Sequence, residues 1–121
     1  MELIFRVSES ILIASVKGDV DHHSAAPLRH TIDESMRAFG LKNLVIDFSG
    51  VDFMDSSGIG VVLGRYKRIE RSGGSFCISG CSAHIKRLLE ISGVLSLIPV
   101  TEDYESAVDL INGQQQICLE V

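Results

Sequence analysis

Two short apolar runs open the chain, Leu3 to Val7 and Ile11 to Val16, separated by Ser8-Glu9-Ser10. Runs of this length around a polar break predict two strands joined as a hairpin. Gly18 ends the second run, and Asp19-Val20-Asp21-His22-His23-Ser24 leads into a different periodicity. Ala25, Leu28, Ile32, Met36 and Phe39 recur at spacings of 3, 4, 4 and 3, which keeps one stripe of a helix inward. Ser24 is the expected cap. Pro27 falls in the first turn, where its missing N–H costs little, and Gly40 suits the position just past the end.

Leu44-Val45-Ile46-Asp47-Phe48 is too short for a helix and too apolar for an exposed edge, so a central strand is expected. After Ser57 the helical period returns, with Ile59, Val62, Leu63, Tyr66 and Ile69 inward and Arg65, Lys67, Arg68 and Arg71 largely outward. Gly73-Gly74 stops that helix. Phe76 to Ser79 reads as a further strand, and Ser82 caps a helix carrying Ile85, Leu88 and Leu89, closed by Gly93. Leu95 to Val100 is expected as a last strand, and Pro99 puts it at an edge because it cannot donate to a ladder. Thr101 is the expected cap of a final helix, with Glu102 and Asp103 in its first turn and Tyr104, Ala107, Val108 and Ile111 on its buried side.

The order ββαβαβαβα predicts an α/β fold: a mixed, mostly parallel sheet with an N-terminal β-hairpin and four helices. Residues 1–112 form one domain in this reading and residues 113–121, from Gly113 through Gln114-Gln115-Gln116, a C-terminal tail. Strand–helix–strand crossovers make the later strands parallel. The turns after the second and third strands, Gly18 to His23 and Ser49 to Ser57, then share the carboxyl edge of the sheet, where open α/β sheets bind partners. The two polar loops could form one patch.

Composition narrows the function. A chain of 121 residues has the size of a single domain. Its 45% hydrophobic and 22% charged residues are ordinary for a globular protein. A net charge of −5 disfavours general nucleic-acid binding, which needs Lys and Arg against phosphates. No apolar run approaches a membrane span, and the first residues lack the features of a signal peptide. Three cysteines, Cys77, Cys81 and Cys118, do not suggest a disulfide framework and are expected as free thiols. A cytoplasmic location is expected.

The densest chemistry lies in Met54-Asp55-Ser56-Ser57-Gly58-Ile59-Gly60. Two adjacent hydroxyls stand at a helix N-terminus, where free N–H groups tolerate an anion. Gly58, Gly60 and Gly64 do not make a dinucleotide fingerprint, because nine residues separate Phe48 from Gly58 and the first glycine should follow the strand at once. Small residues at 60 and 64 are instead expected to let the helix lie close to the sheet. No phosphate-cradling Gly-Lys-Ser/Thr loop is present. Asp47, Asp52 and Asp55 bring to mind an aspartyl-phosphate site, but no lysine and Ser/Thr arrangement completes one. Asp19, Asp21, His22 and His23 resemble a metal cluster on paper. A partner-facing polar loop is the better reading, since adjacent histidines tend to point apart. No nucleophile–base–orienter set exists. The expectation is a protein without enzymatic activity and without cofactor or metal. Arg65-Tyr66-Lys67-Arg68 and Arg71 carry four of the eleven basic residues and would form a docking face for an acidic partner.

Hydrophobic strand, Asp-Ser-Ser-Gly-Ile-Gly, helix, strand, helix resembles the STAS domain of bacterial anti-anti-sigma factors. The run Met54 to Lys67, together with Gly18-Asp19-Val20-Asp21-His22-His23, is similar to the branch of sporulation anti-sigma F factor antagonists. The likeness spans roughly residues 2 to 111. It implies a partner-switching protein whose unphosphorylated form binds an anti-sigma factor that is also a serine kinase, releasing the sigma factor. The kinase, using its own ATP, phosphorylates the first serine of the motif, here Ser56, and a serine phosphatase reverses this. Asp19, Asp21, His22, His23, Asp55, Ser56, Ser57, Gly58, Arg65 and Arg68 are the expected partner-binding residues, on a protein that is a monomer when free. A STAS-type nucleotide-binding module or stress-signalling scaffold is the alternative.

Overall fold

The computed structural model describes residues 1–120, with side chains described through Gly113. Strands β1 (Glu2–Ser8) and β2 (Ile11–Lys17) form the hairpin, followed by α1 (Ala25–Phe39), β3 (Asn43–Gly50), α2 (Ser56–Ser72), β4 (Phe76–Ser79) and α3 (Ala83–Ile91). A single 3₁₀ turn (Val94–Ser96) precedes β5 (Val100–Thr101) and α4 (Tyr104–Glu120). The five strands lie in the order β1-β2-β3-β4-β5. Only the β1–β2 pair is antiparallel; the other three pairs are parallel. The expected α/β order and the central place of β3 are both found.

Alternation along the strands assigns the two faces. Leu12, Ala14, Val16, Leu44, Ile46, Phe48 and Ile78 are buried with Leu28 and Ile32 of α1, Val62 and Ile69 of α2, and Ile85 and Leu89 of α3. Their odd-numbered neighbours Ile11, Ile13, Val45 and Cys77 pack with Ala107 and Ile111 of α4 on the opposite face. Three helices therefore cover one side of the sheet and α4 the other. Because β2 and β3 run parallel, both deliver their following loops, and the N-termini of α1 and α2, to one edge.

Several expectations fail locally. The segment 95–100 is not a strand: Gly93 adopts a left-handed φ of 82°, and a 3₁₀ turn follows. Val94 and Ile98 are its buried anchors. Pairing begins only after Pro99, whose carbonyl accepts from the Ile78 N–H at 3.0 Å, so the edge position is right but the strand has two residues. Phe39 points outward, 62% exposed. The Asp103 carboxylate, not Thr101, caps α4 by accepting from the Ser106 N–H at 2.8 Å. Helix α4 does not stop before Gly113 but continues to Glu120, because one glycine costs a helix interior only about 1 kcal/mol. Cys77 and Cys81 are free thiols, and burial pushes each up to about 11. Cys118 and Gln114 to Gln116 lie outside the described side chains, and Val121 outside the described residues. No helix of the described residues is long and apolar enough to cross a membrane.

Candidate functional site

The loops after β2 and β3 are joined by backbone. The Gly18 N–H donates to the Gly50 carbonyl at 3.0 Å, the Val20 N–H to Phe53 at 3.0 Å, and the Asp55 N–H back to Val20 at 3.2 Å. Val20 and Met54 thus pair as an isolated parallel bridge, and both side chains are buried beneath the loops. Two segments more than thirty residues apart behave as one surface. The expected shared patch exists.

Asp55 begins the second half of that patch. Its extended backbone and side chain cap α2, the carboxylate accepting from the Ser57 N–H at 2.8 Å. Ser56 is therefore the first residue of α2, and it is exposed. Ser57, half-buried, lines a cleft of about 300 Å³ with His22, Ala25, Ala26, Arg29, Gly60 and Val61. The cleft lies between the starts of α1 and α2, so the second serine and His22 border the same hollow.

Gly58 is fixed by close approach. A Cβ there would lie 2.4 Å from Met54 Cγ and 3.0 Å from Val20 Cγ1, whereas Gly60 and Gly64 have nothing within 4 Å. The expectation that residues 60 and 64 hold the helix close to the sheet is corrected: Gly58 alone of the three does so. Gly58→Ala is expected to destabilise by about 1–3 kcal/mol through overpacking. Gly60→Ala should stabilise by about 0.5–1 kcal/mol, since alanine is the better helix former. Paired urea melts check both signs.

The first half of the patch is organised by Asp21. Its Oδ1 accepts from the His23 N–H at 2.9 Å and the Ser24 N–H at 3.1 Å. Its own N–H donates to Ser24 Oγ at 2.9 Å, and its carbonyl accepts from Ala25. The two residues form a reciprocal box: Ser24 holds the N-cap position of α1 as expected, but its side chain makes no cap bond into the helix, and Asp21 caps the turn that leads into it. Ser24 Oγ also donates to the carbonyl of exposed Asp19 at 2.9 Å. The N–H bond from Ser24, foremost, holds the Asp21 carboxyl below its ordinary 3.8. A depressed folded pKa means that its stabilisation is present above 3.8 and is lost as pH falls through the folded value. Asp21→Ala should lower Tm at pH 7, and the gap to the unmodified protein should narrow below about pH 4. A pH-independent gap in thermal melts contradicts this.

His22 and His23 are exposed, with ring centroids 5.6 Å apart at 65°; the rings lie edge to face rather than pointing apart. Among the described residues, no group of three or more His, Cys, Asp or Glu is placed to hold a metal. Asp47, Asp52 and Asp55 do not converge either. Asp47 is buried and accepts from Ser49 and Ser79 at 2.8 and 3.1 Å, Asp52 is exposed, and Asp55 caps α2.

The basic face needs correction. Arg65 is only 7% exposed, and its Nε lies 3.0 Å from Asp33 Oδ1 of α1. It cannot serve as a solvent-facing docking charge. Positions 58, 62, 65 and 69 are all buried at spacings of 4, 3 and 4, so the helical period carries Arg65 inward, against the expectation of an outward charge. Lys67, Arg68 and Arg71 are exposed, and Arg68 reaches Asp33 Oδ2 at 3.3 Å. Arg68 lies twelve positions after Ser56, about 18 Å along a helix, so this face does not adjoin the patch. Phe53, 46% exposed on the β3–α2 loop, was not anticipated. Its only sequence signal is a large aromatic outside any periodic stripe.

The STAS domain profile matches residues 2–107. The chain belongs to the STAS family. An anti-sigma F factor antagonist of Paenibacillus polymyxa is 34% identical over 98 residues, covering 81% of this chain and 84% of that protein. The anti-sigma-B factor antagonist of Bacillus subtilis is 29% identical over 101 residues, covering 84% and 91%. Among solved structures, the anti-sigma factor antagonist SpoIIAA in its unphosphorylated form superposes with a TM-score of 0.72 at 24% identity, covering 93% of this chain and 99% of that one. The phosphorylated form of Bacillus SpoIIAA gives the same TM-score and identity, covering 91% and 99%. At this identity the structures speak for the STAS fold. The patch of Asp19, Asp21, Asp55 and Ser56 occupies the carboxyl edge of that fold.

Proposed function

We propose that this STAS domain is an anti-sigma factor antagonist that binds an anti-sigma factor serine kinase when unphosphorylated and is released by phosphorylation of Ser56. The relatives' names support the antagonist role, and the likeness of Met54 to Lys67 and of Gly18 to His23 to the sporulation branch favours a sporulation partner. The observation that carries the site is Ser56, exposed as the first residue of α2 beside the Asp55 cap, on a surface stitched to the Asp21 loop. A kinase can reach that hydroxyl without disturbing the buried Val20–Met54–Gly58 contact behind it.

Asp19, Asp21, His22 and His23 supply the neighbouring polar contacts, Phe53 a half-exposed apolar one, and Gly58 the close seating of the loops. The protein acts by binding rather than by catalysis. The kinase brings the ATP, and a serine phosphatase restores the hydroxyl in the cytoplasm. A phosphate on Ser56 adds about −1.5 to −2 charges at pH 7. The free N–H groups of the first turn favour that charge, so the domain survives while its surface changes. Incubation with an anti-sigma kinase and ATP, followed by mass-spectrometric mapping, tests the reading. Phosphate on Ser56 with loss of the complex is expected; phosphate on Ser57 or Ser24 would move the switch.

A further inference from the structure

We propose that the groove between the carboxyl-terminal halves of α1 and α2 binds a small organic oxyanion, a phosphate or carboxylate carried on an apolar group. The groove encloses about 270 Å³ and is lined by Asp33, Met36, Leu41, Lys42, Arg65 and Arg68, among others. Its wall holds a buried guanidinium. The Arg65 side chain is 8% exposed, and its Nη1 has no hydrogen-bond partner among the described residues. Its Nε sits at ion-pair distance from Asp33 Oδ1, yet neither atom makes a hydrogen bond. Nη1 is closed off as the groove stands, so the Arg65 guanidinium acts on a ligand there as a fixed positive charge in the wall rather than as a direct donor.

Charge points the same way. Arg37 is paired to Glu34, which leaves Lys42, Arg65 and Arg68 against the single carboxylate of Asp33, or three positive charges to one negative, in a protein of net charge −5. The guanidinium fork of Arg68 suits a phosphate or carboxylate. Both helices end here, and helix ends repel anions. That repulsion is blunted because the N–H groups of Gly40, Leu41, Gly73 and Gly74 close onto the last-turn carbonyls. Met36, Leu41 and Ile69 supply the apolar wall. The site is remote from Ser56 and does not rest on the phosphorylation reading.

The probes are phenyl phosphate, benzoate and inorganic phosphate, titrated into the full chain by calorimetry and by amide NMR. Saturable binding of phenyl phosphate or benzoate, with shifts at Leu41, Arg68 and Ser72, is expected, and the preferred probe tells which oxyanion the site takes. Inorganic phosphate should bind more weakly; equal affinity would remove the apolar wall from the proposal. Arg65→Met could fail to fold, so the decisive variant is exposed: Lys42→Gln with Arg68→Gln should weaken binding at least about tenfold. Lys67→Gln with Arg71→Gln, outside the groove, should change it less than about twofold, and Ser56→Asp should leave it intact. Absence of saturable binding, or equal losses in the two double variants, overturns the site.

Discussion

Ser56→Asp is expected to weaken the complex with the anti-sigma partner by about a thousandfold or more while leaving unfolding stability within about 1 kcal/mol. The binding loss corresponds to about 4 kcal/mol, and one poorly paired charge desolvated in an interface can cost that much. The stability expectation follows from position. Ser56 is exposed at the first turn of α2, where surface substitutions have small effects and a carboxylate is favoured by the helix end. Asp55 sits beside it, and the loop with Asp19 and Asp21 is bonded to the same segment, so the added charge enters an already acidic neighbourhood. Ser56→Ala should keep binding and lose phosphorylation. Calorimetric titration of both variants, with thermal melts alongside, separates a docking defect from a folding defect. Undiminished binding by Ser56→Asp would end the charge-switch mechanism.

Strand and helix order was legible because apolar residues repeat at distinct periods, and the parallel arrangement followed from the crossovers between them. The shared patch was legible at the same level: two consecutive parallel strands must deliver their loops to one edge. What sequence could not show was how firmly those loops are joined, since the Val20–Met54 bridge is a backbone pairing without a side-chain signature. Caps were ambiguous for a related reason. Asp21 and Ser24 are both good acceptors three residues apart, and they bond each other reciprocally. Thr101 and Asp103 pose the same choice at α4. Segment 95–100 had the composition of a strand, but the left-handed Gly93 and the buried Val94 and Ile98 turned it into a 3₁₀ coil. Arg65 carries two opposed signals, a charge that suits solvent and a place in the inward stripe with Val62 and Ile69, and the stripe wins. Asp33, its partner 32 residues earlier, had no signal of its own.

That pair gives the largest stability effect expected outside the apolar core. Asp33→Ala should destabilise the domain by about 3–5 kcal/mol, because it leaves the Arg65 guanidinium buried without a counter-charge. Burial already pushes the Arg65 pKa down; Asp33 opposes that shift, while Arg29 and Arg68 add to it. Removing Asp33 therefore takes away the one neighbour that favours the charged form. Arg68→Gln should cost less than about 1 kcal/mol, since that side chain is 57% exposed and its pair is solvent-screened. The double variant Asp33→Leu with Arg65→Met should be more stable than Asp33→Ala, as buried ion pairs can be replaced by packed apolar groups at little cost. A double-mutant cycle in urea, repeated at low and high salt, reads this coupling; the buried pair should be less salt-sensitive than the Arg68 contact. Purely additive losses would mean that α1 and α2 are held together by Leu28, Ile32, Val62 and Ile69 alone. With coupling, the ion pair fixes how the two helices lie against each other, and with them the loops at their N-termini that carry Asp21 and Ser56.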